Sequence, residues 1–148
     1  MALRDALTVG GPRAALAYLN SRTPHRFTAM YRFDDKTLRN LVFYDAQNPA
    51  QDRTDDIPVL ASYCVFVRDN GGAFATGHAA HDDRLGAHPK RSVLQAYCGV
   101  PLRDEEGTMF GTICHFDFEP MDMAATEVEL MEAVAPMLRR VLGESAGG

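Results

Sequence analysis

Four side chains on two neighbouring segments have the makings of a binding site: Gln95 and Tyr97 in QAYCGVPLR, and His115 and Asp117 in GTICHFDFEP. An imidazole that switches between donor and acceptor, a phenol and two hydrogen-bonding ends are what a cleft with few polar anchors uses to orient a small molecule. Whether they meet depends on how the two segments pair. The turn Asp104-Glu105-Glu106-Gly107 suits a three-residue loop with Gly107 left-handed, because a two-residue loop would force positive φ on two glutamates. Closure there sets Asp104 opposite Thr108, Leu102 opposite Phe110, Val100 opposite Thr112, Cys98 opposite Cys114 and Ala96 opposite Phe116. One side of the hairpin is then nearly all apolar. The other pairs Gln95 with Asp117, Tyr97 with His115 and Gly99 with Ile113, which predicts a helix-packed face and a ligand-facing or solvent-facing one.

Other reactive types are scattered more loosely. Cys64, Cys98 and Cys114 show no C-x-x-C spacing and lie in apolar surroundings, so reduced, buried thiols are the expectation rather than a disulfide framework or an activated nucleophile. His78, His81 and His88 share a segment with Asp82 and Asp83, but their spacing fits no helix face or zinc-ribbon pattern, and no metal site is predicted. Arg84 is a candidate partner for an anionic ligand; a salt bridge to Asp82 that fixes the loop is the plainer role.

The elements that must position these groups follow from punctuation and periodicity. Residues 1–9 form a short helix broken at Gly10-Gly11, and Pro12 opens a second one to about Ser21, with Ala15, Leu16 and Leu19 on its apolar face. Residues 26–33 and 37–45 read as two strands joined through Asp34-Asp35-Lys36. The polar stretch 45–56 is a loop. A helix is predicted from Ile57 towards Val67, ended by Asn70-Gly71-Gly72, then a short strand over 73–78 and a loop through His81-Asp82-Asp83-Arg84. The paired strands 94–102 and 108–118 come next. A final helix has capping-box spacing at Thr126 and Glu129 and a stripe of Leu130, Met131, Val134, Met137, Leu138, Val141 and Leu142, with a bend expected at Pro136.

The chain has 148 residues, 46% of them hydrophobic, and a formal net charge of −5. That is one domain's worth of core: 12–142, with 1–11 as an N-terminal extension and 143–148 as a flexible tail. No basic cluster larger than Arg139-Arg140 is present, which argues against nucleic-acid or anionic-membrane partners. Without a membrane-length apolar run or a signal-peptide core at the start, a cytoplasmic location is expected.

This order of elements is an α+β layout, with helices segregated from an antiparallel sheet. Its motifs, Ser62-Tyr63-Cys64, His81-Asp82-Asp83-Arg84, Ala96-Tyr97-Cys98-Gly99-Val100-Pro101-Leu102, Glu106-Gly107 and Phe110-Gly111-Thr112-Ile113-Cys114, resemble in order and spacing the signatures of GAF domains over residues 12–142. The resemblance implies a PAS-related sheet of five to six strands. Terminal helices cover one face, often at a dimer interface, and helices and loops cover a small-molecule pocket on the other. It implies a sensory, non-catalytic module acting on a protein partner in trans, with Tyr97, His115, Gln95, Asp117 and Arg84 as ligand-binding candidates and an unknown ligand. On this mapping Cys98, Val100, Cys114 and Phe116 face the terminal helices, and Val134, Met137, Leu138, Val141 and Leu142 mediate a homodimer. A GAF-based free methionine-(R)-sulfoxide reductase is the enzyme alternative, and a ligand-free dimerisation module is the other. The Cys-His dipeptide that anchors bilins in related photoreceptors sits at a helix there, whereas Cys114-His115 belongs to a strand. The Asn-Lys-Phe-Asp-Glu signature of cyclic-nucleotide binders is missing.

Overall fold

The computed structural model describes residues 2–122 and 124–145. Its centre is a six-stranded antiparallel sheet in the order β3-β2-β1-β6-β5-β4. The strands are β1 (Phe27–Asp34), β2 (Thr37–Asp45), β3 (Ile57–Pro58), β4 (Phe74–Thr76), β5 (Ala96–Arg103) and β6 (Met109–Asp117). Helices α1 (Ala2–Ser21) and α3 (Ala125–Ser145) are terminal, and α2 (Cys64–Asn70) lies between β3 and β4. The α+β layout read from the sequence is therefore what the chain adopts.

Two cores flank the sheet. On one face Leu16 and Leu19 of α1 and Met131, Val134 and Leu138 of α3 pack on Met30, Val42, Cys98, Val100, Leu102 and Ile113. On the other, Tyr63, Cys64, Val65 and Val67 around α2 pack on Phe27, Ala29, Tyr31, Phe43, Tyr97 and Cys114. Both faces are buried, so apolar alternation along a strand does not mark which face is which.

The β5–β6 hairpin corrects the expected pairing in one step. Its loop is as anticipated: Asp104 N–H bonds the Thr108 carbonyl at 2.8 Å, Gly107 N–H bonds the Asp104 carbonyl at 3.0 Å, and Gly107 has φ 84°. Beyond Arg103↔Met109 the next pair is Leu102↔Gly111, leaving Phe110 as an extra residue. Such a bulge moves all subsequent partners by one, and a period-two strand then presents the opposite face. Cys98 thus pairs with His115, Tyr97 with Phe116 and Ala96 with Asp117, and the expected Cys98–Cys114 pair does not exist. Because the Gly107 turn is left-handed and open, Gly107→Ala should cost about 1 kcal/mol, from backbone strain alone. Chemical denaturation checks this.

Other boundaries moved for local reasons. The helix expected from Ile57 is instead an edge strand: Ile57 and Pro58 pair with Leu38 and Thr37, and Pro58 is tolerated there because an edge residue need not donate. A single 3-10 turn, Val59–Ala61, follows before α2 begins at Cys64. Gly71 ends α2 in the left-handed conformation, its N–H on the carbonyls of Val67 and Arg68. The break near Gly10-Gly11 is a kink at Gly11 (φ 77°) inside α1. The segment before it is no appendage, since Leu3 and Leu7 are buried in the helix-side core. Helix α3 starts at Ala125, so Thr126 lies within its first turn rather than capping it, and the helix runs on through Pro136. Its apolar stripe is largely used up in the chain's own core: Val134 and Leu138 are buried, and Met137 and Leu142 pack partly against it. Met137 and Leu142 remain partly exposed on the outer side of α3. Val141's side chain and residues 146–148 of the expected tail lie outside the described residues.

Candidate functional site

The face opposite α1 and α3 holds a cavity of about 430 Å³. Its floor is the sheet, where Phe27, Tyr31, Phe43, Tyr97, Cys114 and Phe116 all point the same way. Phe27 is the hub, with Phe116 stacked at 5.0 Å between centroids, Phe118 edge-on at 5.4 Å and Phe43 tilted at 5.8 Å. Such a volume with an aromatic lining falls within the range of small-molecule sites.

The walls are two loops, each tied down by side chains. The 46–56 loop is held on the edge of the sheet by Asn40, whose Oδ1 accepts from Thr54 N–H at 3.2 Å and whose own N–H donates to Asp56 at 2.9 Å. Arg13 reaches the same loop from α1, donating to the carbonyls of Pro49 and Gln51. The second wall ends at Lys90, Val93 and Leu94, and the Tyr63 hydroxyl holds it by donating to the Leu94 carbonyl at 2.7 Å. Val93 and Phe118 are about half exposed at the rim, where the exposed Gln51, Asp55 and Lys90 also line the cavity.

Polar chemistry enters at one corner. Arg26, just before β1, makes a two-pronged ion pair with Asp45 at the end of β2, at 2.8 and 2.9 Å, and its guanidinium lies 4.7 Å over the Phe27 ring. The Arg26 hydrogen bonds hold the Asp45 carboxyl below the usual carboxylate range despite its burial. Lys90 and Asp55 line the cavity from opposite loops, and neither makes an ion pair among the described residues.

Of the five residues predicted to bind ligand, the structure brings only Tyr97 to the cavity. It lies flat along β5 because Gly99, two residues on, has no Cβ to meet its ring. The Tyr97 hydroxyl donates to Cys64 Sγ at 3.2 Å, and burial pushes its pKa well up. His115 and Asp117 are on the opposite face, beneath α1, as the Phe110 bulge requires. There His115 Nδ1 meets Thr28 Oγ1 at 2.6 Å, Asn20 donates to the same hydroxyl at 3.0 Å, and the His25 ring stacks 6.0 Å away. Asp117 accepts from Arg26 N–H at 2.9 Å. Gln95 is a loop brace, accepting from Ala80 N–H at 3.1 Å and donating to the Arg91 carbonyl at 3.1 Å. Arg84 braces the same region, bonded to Asp82 at 2.6 and 2.9 Å and to the Ala75 carbonyl at 2.7 Å, and it holds the Asp82 pKa down to about 2. His88 is likewise structural, with Nε2 3.1 Å from the Ser62 carbonyl.

Sequence reading missed Arg26, Asp45, Cys114, Phe116 and Lys90. Arg26 and Asp45 carried a usable signal, since opposite charges bracket the outer ends of a two-strand hairpin. Cys114 and Phe116 were assigned to the other face by the same one-residue slip that misplaced His115.

No family model matches the chain, and no curated protein is significantly similar to it. Solved structures are. The GAF domain of a phosphoenolpyruvate-protein phosphotransferase from Acinetobacter superposes with a TM-score of 0.74 at 12% identity, over 98% of this chain and 92% of that one. The free methionine-R-sulfoxide reductase of Neisseria meningitidis, in complex with its substrate, gives 0.74 at 16% identity, over 98% and 88%. The cyanobacteriochrome receptor PixJ gives 0.66 at 19% identity, over 95% and 96%. At such identities the likeness concerns architecture, and with its six-stranded antiparallel sheet between terminal helices and a loop-covered cavity this chain has the fold of a GAF domain.

Proposed function

We propose that the chain is a cytoplasmic sensory domain that binds a small molecule in the 430 Å³ cavity and passes its occupancy to a protein partner. The observation that carries this reading is the cavity itself: an aromatic floor on rigid strands, with the Arg26–Asp45 pair at one corner and Asp55 and Lys90 on the walls. Strand β6 supports the second half. Cys114 and Phe116 face the cavity while Ile113 and His115 face the terminal helices, so a displacement of β6 by a ligand is felt on both sides of the sheet. The outer surface of α1 and α3 is then the output surface, for a partner or a second copy. Sedimentation with and without ligand tests that part.

A thermal-shift screen of aromatic and heteroaromatic metabolites should find compounds that raise Tm, and Ala61→Trp, which fills the cavity from its wall, should abolish the shift while leaving the unliganded protein folded. A library that stabilises wild type and Ala61→Trp alike would refute the site. Cys114 at the cavity floor favours one second reading, the reductase. Consumption of free methionine-R-sulfoxide that disappears in Cys114→Ser would replace the sensor by the enzyme.

A further inference from the structure

We propose that Cys64 and Cys114 form a modification site at the floor of the cavity, where a small hydroperoxide entering through the opening converts the two thiols to an intramolecular disulfide. Cys114 lines the cavity from β6, and Cys64 stands at the start of α2 directly behind it. The Cys114 thiol donates to the Ala29 carbonyl at 3.7 Å, and the two thiols lie close enough to perturb one another. Cys64 Sγ also lies 3.1 Å from the hydroxyl of Thr112, which shares a face with Cys114, and 3.2 Å from the Tyr97 hydroxyl that donates to it. Cys98 has none of this. It faces α3, and burial pushes its thiol up to about 12.

Two fully buried thiols without a cation nearby are ordinarily inert. Here burial does oppose ionisation at both, but the hydrogen bonds from Cys114, Ser62, Thr112 and Tyr97 outweigh it at Cys64 and draw that thiol below its usual range. Burial, with the neighbouring Cys64, pushes Cys114 well up. Cys64 is thus the more acidic thiol of the two, and Cys114 the one that lines the cavity. That arrangement gives each sulfur a task. As the Cys114 sulfur attacks the outer peroxide oxygen, the O–O bond breaks, the thiol proton of Cys114 passes to the departing alkoxide, the alcohol leaves and Cys114 becomes a sulfenic acid. The Cys64 sulfur then attacks the Cys114 sulfur, the S–O bond breaks, and the hydroxide takes the Cys64 thiol proton and leaves as water. In sum, two thiols and one hydroperoxide give one disulfide, one alcohol and one water, with the thiols oxidised and the peroxide reduced. The bond would draw α2 against β6 and change the cavity floor.

The cavity serves here as a passage, so the inference stands whether or not a resident ligand exists. Reduced protein treated with a small excess of tert-butyl hydroperoxide, then alkylated and weighed intact, should lose two hydrogens and two alkylation sites in wild type and in Cys98→Ser. Peptide mapping should place the bond between residues 64 and 114, and Ala61→Trp should slow the reaction several-fold. Cys64→Ser and Cys114→Ser should each form no intramolecular bond. Full alkylation of all three cysteines after peroxide, a bond to Cys98, a sulfenic acid on Cys114 that persists in wild type, or a rate indifferent to the Ala61 plug would each overturn the proposal. The wild-type mass alone suffices if a variant fails to fold.

Discussion

Acidification from pH 7 to pH 5 should lower the melting temperature by about 10 °C, an unusually steep loss for a window in which carboxylates have not begun to titrate. The cause is the His25–His115 pair beneath α1. His25 is 2% and His115 0% exposed, and the Nε2 of each has no hydrogen-bond partner among the described residues. Burial lowers the pKa of His115 from 6.5 to about 3, helped by the neighbouring His25. Burial likewise lowers His25 to about 4, with the Asp117 charge partly opposing it. The folded chain therefore binds these protons later than the unfolded chain does. Stability is complete above the unfolded value of 6.5 and is lost as pH falls from there towards the folded values.

Between pH 7 and pH 5 the loss is about 2 kcal/mol for each ring, so about 4 kcal/mol together, a large fraction of a typical domain's stability. The paired carboxylates act elsewhere on the scale. Asp82, held at about 2 by Arg84, and Asp45, lowered by Arg26, contribute stability that is present above 3.8 and lost only as pH falls below it. His115→Gln keeps a polar group for the Thr28 hydroxyl but cannot take up a proton, and should remove roughly half the pH 7 to pH 5 loss. Melting curves at the two pH values for wild type and variant decide it; equal slopes in both proteins would show that the imidazole is not the cause.

Gly111→Ala is expected to destabilise the fold by about 3 kcal/mol or more, read from the midpoint of urea unfolding. Gly111 follows the Phe110 bulge and pairs with Arg32 of β1 as well as Leu102 of β5. A Cβ there would collide with the Tyr31 carbonyl oxygen and lie 3.0 Å from its carbon and 3.2 Å from Arg32 Cα. All three are backbone atoms of the central strand pair, so relief requires β1 and β6 to part. Gly99→Ala is an instructive contrast. Its Cβ would meet the hydroxyl end of the Tyr97 ring, which can swing aside. That change should cost less stability yet break the Tyr97–Cys64 hydrogen bond at the cavity floor. A Gly111→Ala protein within 1 kcal/mol of wild type would mean that the bulge is not fixed by backbone approach.

The amino-acid sequence was enough for several features governed by adjacent residues. The left-handed turn at Gly107, the helix end at Gly71, the break before Pro12, the Asp34–Thr37 turn and the amphipathic stripe of α3 each follow from a few adjacent residues. The even alternation Phe110, Thr112, Cys114, Phe116 also looked like the face to bury under helices. What decided otherwise was non-local: β1 approaches Gly111 closely, Phe110 is squeezed out of the ladder, and each later residue of β6 turns over. With apolar layers on both faces, the hydrophobic pattern is satisfied in either register, and only packing against a third strand separates them. Tertiary structure alone therefore sent His115 and Asp117 beneath α1, set Cys114 and Phe116 in the cavity and placed a thiol pair where the sequence had suggested an imidazole.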